Sequence, residues 1–264
     1  MGRFYEGASS IFVEAYDAFY QHANPQIAGD VGFYTDIARA TGGAVLEVAC
    51  GTGRITLPMG DAGLEITGVD LSEAMLAVAR RKMAACPTET QGRIQLVRQD
   101  MTTLNLGKRF GFAFVPFRSF QHLLSGGDQR KTLKAIHGHL DPGGRLALHL
   151  FDPRLDLLLD GGDPIPKSHG RNKATGQRYV GEVVRTDFDH LAQIRRDLWR
   201  YTEIDDNGTI LREETREMAL RWTYRWELYH LLALSGFAVD AEYSDFKRSP
   251  PAYGEELIVV CRAG

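Results

Sequence analysis

The sequence is short of the features that mark several functional classes. Its three cysteines, Cys50, Cys86 and Cys261, form no CxxC pair and no metal-ligand spacing. So sparse and odd a set excludes a disulfide framework and a zinc ribbon, and reads as buried thiols in a reducing compartment. No apolar run approaches the ~20 residues of a membrane span. The opening MGRFYEGASSIF lacks the basic-then-apolar order of a signal peptide, and Glu6 breaks the myristoylation pattern that Met1-Gly2 begins. Basic surplus is missing too: 31 Lys+Arg against 34 Asp+Glu leave a net charge of −3, which advertises no nucleic acid. These absences predict a cytoplasmic protein with neither a nucleic-acid nor a membrane partner. What is present is ordinary globular composition. With 264 residues, 44% of them hydrophobic, the chain has the apolar surface for one large domain or two small ones.

From Ala44 to Leu150 short apolar runs alternate with helical periodicity. AVLEVA (44–49), LEITGVD (64–70), RIQLVRQD (93–100), FGFAFVPF (110–117) and GRLALHLF (144–151) are strand candidates. Between them, Ser72 is placed to cap a helix with Met75, Leu76, Ala79 and Met83 inward. Asp128 is placed to cap another, with Leu133, Ile136 and Leu140 inward, stopped at Asp141-Pro142-Gly143-Gly144. Nearly all-apolar strands alternating with helices predict a parallel sheet covered on both faces. From Arg178 to Trp222 the pattern becomes alternating and antiparallel, with a hairpin turn at Asp205-Asp206-Asn207-Gly208. Arg195, Arg196 and Arg200 are expected to pair across strands with Glu213, Glu214 and Glu217. Gly161–Gly176, rich in Gly, Pro and Lys, reads as a mobile loop. A helix over about Tyr224 to Ser235 is stopped by Gly236, and strands near Phe237–Phe246 and Glu256–Cys261 follow.

The segment richest in chemistry is Val45-Leu46-Glu47-Val48-Ala49-Cys50-Gly51-Thr52-Gly53-Arg54. A strand, a Gly-rich turn and a helix in that order put the turn at the carboxyl edge of the sheet, where open α/β folds bind ligands. Gly51 and Gly53 let backbone approach a ligand that a β-carbon would push away. Asp70 ends the second strand and can accept hydrogen bonds from ribose hydroxyls; Asp100, ending the third, can accept an adenine amino proton while Met101 packs on the ring. A dinucleotide fingerprint wants a third Gly where Thr56 stands, and would bring pyrophosphate near Glu47. S-adenosylmethionine has no phosphate, and its sulfonium and ammonium suit the carboxylates of Glu47 and Asp70.

VLEVACGTG (45–53), TGVDLSEAML (67–76), RQDM (98–101), FVPFRSFQHLL (114–124) and LDPGGRLALHLFDP (140–153) together resemble the class I S-adenosylmethionine-dependent methyltransferases. The resemblance covers residues 12–153 and extends to the closing stretch from Leu231 to Cys261, with Ala49 standing where the family often has Gly. It implies an α/β, Rossmann-like doubly wound sheet of seven strands with the last antiparallel, S-adenosylmethionine as cofactor and S-adenosylhomocysteine as product. It carries cofactor contact onto Glu47, Ala49, Gly51, Thr52, Gly53 and Arg54 of the first turn. Asp70 and Leu71, Asp100 and Met101, and Phe117 would serve the next three, with Tyr16 covering the methionine end. Residues 1–153 and 223–264 would form the core, and 154–222 an inserted loop and antiparallel lid.

His122, just after the fourth strand, is the candidate general base or acceptor-orienting group, with Ser119 and Gln121 as polar neighbours. His149 reads as structural, His137 and His139 face opposite ways and hold no metal, and Trp222, Tyr224, Trp226 and Tyr229 read as core before acceptor pocket. The Asn/Asp-Pro-Pro-Tyr signature of nucleic-acid amino-methylating enzymes is missing; Val115-Pro116-Phe117-Arg118 stands there instead. That points to a small-molecule methyl acceptor, an amine or a hydroxyl, and the exposed edges of the lid sheet to a homodimer. A nicotinamide oxidoreductase and a catalytically silent S-adenosylmethionine-binding protein are the alternative readings.

Overall fold

The computed structural model describes residues 10–20, 25–156, 167–172 and 175–264. Its main sheet has seven strands: β1 (Val45–Val48), β2 (Ile66–Asp70), β3 (Ile94–Arg98), β4 (Phe110–Val115), β5 (Leu140–Phe151), β10 (Phe237–Tyr243) and β11 (Glu256–Ala263). They run in the order β3-β2-β1-β4-β5-β11-β10. β1 to β5 are parallel, and β11 enters antiparallel between β5 and β10. The strand order reverses between β1 and β4, so their carboxyl ends diverge and open a crevice. Every residue of β1 and β4 is buried, as both faces of the sheet are covered.

Strand alternation sorts the core into two layers. Leu46 and Val48 point to the face covered by α6 (Gly126–Gly138) and α7 (Arg225–Ala233), whose Leu133, Ile136, Leu228 and Leu232 share that cluster. Val45, Phe112 and Phe114 point to the opposite face, against Phe33, Tyr34 and Ile37 of α2 (Asp30–Thr41) and Leu57 and Met59 of α3 (Thr56–Asp61). Two further helices, α4 (Glu73–Met83) and α5 (Thr88–Arg93), precede β3. Ser72 caps α4 by accepting from the Met75 amide at 3.2 Å, as expected. At α6 the cap is Ser125, not Asp128: the Ser125 hydroxyl accepts the Asp128 amide at 3.1 Å and donates to its carboxylate at 2.9 Å. Asp128 instead lies in the first turn, where a negative charge favours the helix end.

A second, antiparallel sheet contains β6 (Ser168–Arg171), β7 (Arg178–Asp189), β8 (Ile194–Ile204) and β9 (Ile210–Arg221) in that order. Here β6 corrects the loop reading of Gly161–Gly176 at Ser168–Arg171; residues 161–166 and 173–174 lie outside the described residues. The hairpin turn is as read, with the Gly208 amide donating to the Asp205 carbonyl at 3.1 Å. The expected cross-strand pairs do not form. Arg195 bonds Asp197 on its own strand, Arg200 reaches Glu182 of β7, and Glu214 turns away to accept from Ser10 and the Phe12 amide.

That last contact joins the sheet to α1 (Ile11–Tyr20). Phe12 and Phe19 lie on Tyr201 of β8, with ring centroids 5.0 and 6.1 Å away. Gly170 lets β6 approach closely, since a β-carbon there would come within 3.0 Å of Ala18. A buried network anchors the sheet to the core: Arg221 pairs with Glu227 of α7 at 2.6 Å and bonds Gln129 of α6 at 3.1 Å. No helix among the described residues is long and apolar enough to cross a membrane.

Candidate active site

The crevice at the strand ends is an open cleft of about 780 Å³, solvent at its mouth included. Val48, Ala49 and Gly51 line it at the end of β1, and Val69 to Ser72 at the end of β2. Gln99 and Met101 follow β3, Phe117, Ser119 and His122 follow β4, and Tyr16 of α1 and Met75 of α4 complete it.

The first turn is built on left-handed backbone. Ala49 has φ +65°, Gly51 +55° and Gly53 +75°. Ala49 therefore stands where Gly costs least, a strain of about 1 kcal/mol at the cleft wall. A β-carbon on Gly51 would meet no protein atom within 4 Å, so the space it leaves open belongs to the cleft. Gly53 serves packing: a β-carbon there would come within 3.2 Å of Leu57. Asp70 ties the turn to β2, accepting the Gly51 amide on Oδ2 and the Ser72 amide on Oδ1, both at 2.8 Å. Burial pushes its carboxyl above the usual range and those two amides pull it back. Each oxygen keeps a lone pair for a further donor, such as a ribose hydroxyl. With the open side of Gly51 and the apolar faces of Leu71 and Met101, these groups fit a nucleoside carrying an amino-acid tail.

Five residues expected at the cofactor are not among those lining the cleft. Glu47 points into the α2–α3 layer, accepts the Thr56 hydroxyl, and is pushed up to about 8 by burial. Burial thus favours its protonated form near pH 7. Arg54 is neither solvated nor turned into the cleft: its guanidinium grips Asp30 at the start of α2, with Nη1 3.0 Å from Oδ1. Thr52 is fully buried and donates to Asp17 of α1 at 2.6 Å, where Lys82 of α4 also pairs at 2.8 Å. Asp100 caps the turn Met101–Thr103, accepting the Thr102 amide and hydroxyl at 2.8 Å. Gly53 is the fifth.

On the β4 side, Ser119 and His122 face the cleft, whereas Gln121 is fully buried and accepts the Phe151 amide at 3.1 Å. His122 is hydrogen-bonded to the backbone of Ala219 near the end of β9, and burial pushes its imidazole down to about 4. It is therefore neutral at physiological pH. Tyr16 lies over the cleft with its hydroxyl pushed well above the usual phenol range by burial. None of Trp222, Tyr224, Trp226 and Tyr229 lines the cleft: Trp222 is core, packed on Phe188, Tyr229 bonds Glu242, and Trp226 is exposed. Gln99 of RQDM and Met75 of TGVDLSEAML also line the cleft, although neither is among the expected site residues; their place at the strand end and on the inner face of α4 brings them there. No group of three metal-ligating side chains occurs among the described residues.

Residues 45–144 match the family model described as a methyltransferase domain. A Geobacillus sp. (strain WCH70) protein named as a methyltransferase is 36% identical over 217 residues, 81% of either chain. The glycine/sarcosine N-methyltransferase of Halorhodospira halochloris is 29% identical over 220 residues, covering 81% of this chain and 73% of that one. Other relatives align along only 36–58% of their own length. An amino pentose methyltransferase from Micromonospora echinaspora, solved with S-adenosylmethionine bound, superposes with a TM-score of 0.70 at 23% identity, over 94% of this chain and 96% of that one. Identity at this level, held across four-fifths of the chain and over a shared fold, places the chain in the class I S-adenosylmethionine-dependent methyltransferases.

Proposed function

We propose that the protein methylates the amine nitrogen of a small molecule in the cytoplasm. The observation that carries this reading is the placement of His122 at the β4 edge of the cleft, bonded to the Ala219 backbone, where burial weakens it as a base. An amine that arrives uncharged needs alignment and no strong base, whereas a hydroxyl acceptor gains from one. The N-methyltransferase named among the relatives supports the same acceptor class, and free, buried Cys50 and Cys261 fit a reducing compartment. When bound, S-adenosylmethionine would supply a methyl carbon on sulfonium: the amine lone pair would form the new N–C bond as the C–S bond broke with both electrons on sulfur, leaving S-adenosylhomocysteine and a proton that the methylated amine gives up to solvent. Asp70 holds the ribose hydroxyls, Tyr16 and Phe117 keep water from the reacting carbon, and the His122 imidazole at the cleft edge orients the acceptor amine.

A tritiated-methyl screen over amines, phenols and carboxylic acids tests the reading; label on phenols or carboxylates alone would reject it. His122→Ala should lower turnover about tenfold, well short of the ~10²–10⁴-fold of a lost general base. S-adenosylhomocysteine affinity should stay unchanged. The lowered pKa of His122 puts its protonation far into acid, so turnover should show no histidine inflection between roughly pH 5.5 and 8.

The second sheet, through α1, acts as the lid. Its edge strand β9 exposes Ile210 and Leu211, and a homodimer across this edge is part of the reading. A solution mass of one chain at micromolar concentration would reject the dimer and leave the lid untouched.

A further inference from the structure

Behind the cleft wall lies a polar cluster with no part in the reading above. Phe117 and Arg118 are successive non-glycine residues in the left-handed region, at φ +46° and +63°. Backbone of this kind persists only where its surroundings over-determine it, and here His149 contributes through both its side chain and its backbone. The Phe117 amide donates to His149 Nδ1 at 3.2 Å, and the Arg118 amide donates to the His149 carbonyl at 2.9 Å. Because Nδ1 accepts, the ring proton sits on Nε2, which donates to Glu256 Oε2 at 2.8 Å. Glu256 Oε1 in turn accepts Arg118 Nη2 at 2.6 Å, closing the loop onto the same turn. His149 is wholly buried, and Phe246 stands edge-on to it at 4.9 Å.

We infer that His149 is a positioning residue for methyl transfer, with Glu256 fixing the tautomer that leaves Nδ1 as acceptor. Through the Phe117 amide it holds the turn that sets the Phe117 wall of the cleft and launches Ser119 and His122. Phe117 is itself braced from above, its ring 5.1 Å from Tyr20 of α1. If the amide lost its acceptor, the left-handed pair would be free to relax toward ordinary backbone. The wall and the His122 edge would then shift together, and misplacement of that kind lowers turnover without removing any group that touches substrate. The inference rests on the methyl-transfer reading only for its turnover arm.

Two substitutions separate positioning from bulk stability. The side-chain oxygen of His149→Asn can stand near Nδ1 and accept the Phe117 amide while losing reach to Glu256. His149→Gln reaches toward Glu256 and leaves the amide without its acceptor. Three quantities are measured for both: amide hydrogen exchange at Phe117, S-adenosylhomocysteine affinity by calorimetry, and turnover on an amine found by the screen. In His149→Gln the Phe117 amide should exchange at least tenfold faster, affinity fall about 3–10-fold, and turnover fall about 10–100-fold. His149→Asn should recover most of each, at a similar thermal midpoint. Equal protection of the Phe117 amide in both variants, or losses that track only the thermal midpoint, would overturn the inference. Failure of the wild type to methylate any acceptor would count against the functional reading alone, since exchange and affinity still report on the turn.

Discussion

Arg54→Met should destabilise the protein by about 3–5 kcal/mol, the usual cost of leaving one partner of a buried ion pair behind. The guanidinium grips Asp30, whose side chain is only 3% exposed. Among the described residues, the Asp30 carboxylate has, apart from Arg54, only the adjacent Val31 amide, at 2.8 Å. Removing both charges together leaves no orphan, so Arg54→Met combined with Asp30→Leu should recover most of the loss. Urea unfolding of wild type, single and double variants measures both terms. A single variant within 1 kcal/mol of wild type would show that water reaches Asp30 and that the pair does not pin α2 to the cofactor turn.

Stability should also fall as pH rises from about 5 to about 8.5, through Glu47. Its carboxyl is pushed up to about 8 in the folded protein by burial, and returns to the ordinary carboxylate range on unfolding. Across that window the folded state holds the proton that the unfolded state has released, so raising the pH favours unfolding. The full span is worth about 3–5 kcal/mol, lost as pH climbs through the folded value. Glu47→Gln keeps an acceptor for the Thr56 hydroxyl and carries no charge. It should match wild type near pH 5.5 and exceed it by most of that span near pH 8.5. Parallel pH profiles for the two proteins would mean that Glu47 is ionised throughout.

The five parallel strands and the cleft's position were legible because their signals are local. A near-continuous apolar run bounded by Gly or Asp is a buried strand whatever lies elsewhere in the chain, and the Gly turn after Val48 marks its carboxyl end. Glu47 shows where locality stops. Period-two alternation puts it on the same face as Val45, yet only the packing of α2 and α3 shows that this face turns away from the cleft. Arg54 met Asp30 across 24 residues, and no motif announces that pairing. The second sheet was legible as antiparallel, but its ion pairs were not: placing Arg200 against Glu182 rather than β9 needs the register of three strands at once. Capping of α6 was missed for a smaller reason. Ser125 and Asp128 are three residues apart, and either fits a helix start; the glycines between them obscured which came first.

The insertion of β11 between β5 and β10 sets an order on biosynthesis. β5 is complete at Phe151, yet its second neighbour begins at Glu256, so one edge of the nascent sheet stays unpaired while about a hundred further residues are added. An open edge of mostly buried, apolar residues is a template for wrong pairing, and the intervening chain includes four strands of another sheet. Glu256 is both the first residue of that late strand and the carboxylate facing His149. The closing of the sheet and the bracing of the Phe117 turn are thus one event, and a ribosome stalled before residue 256 would carry the Gly51 turn without the opposite wall of the cleft.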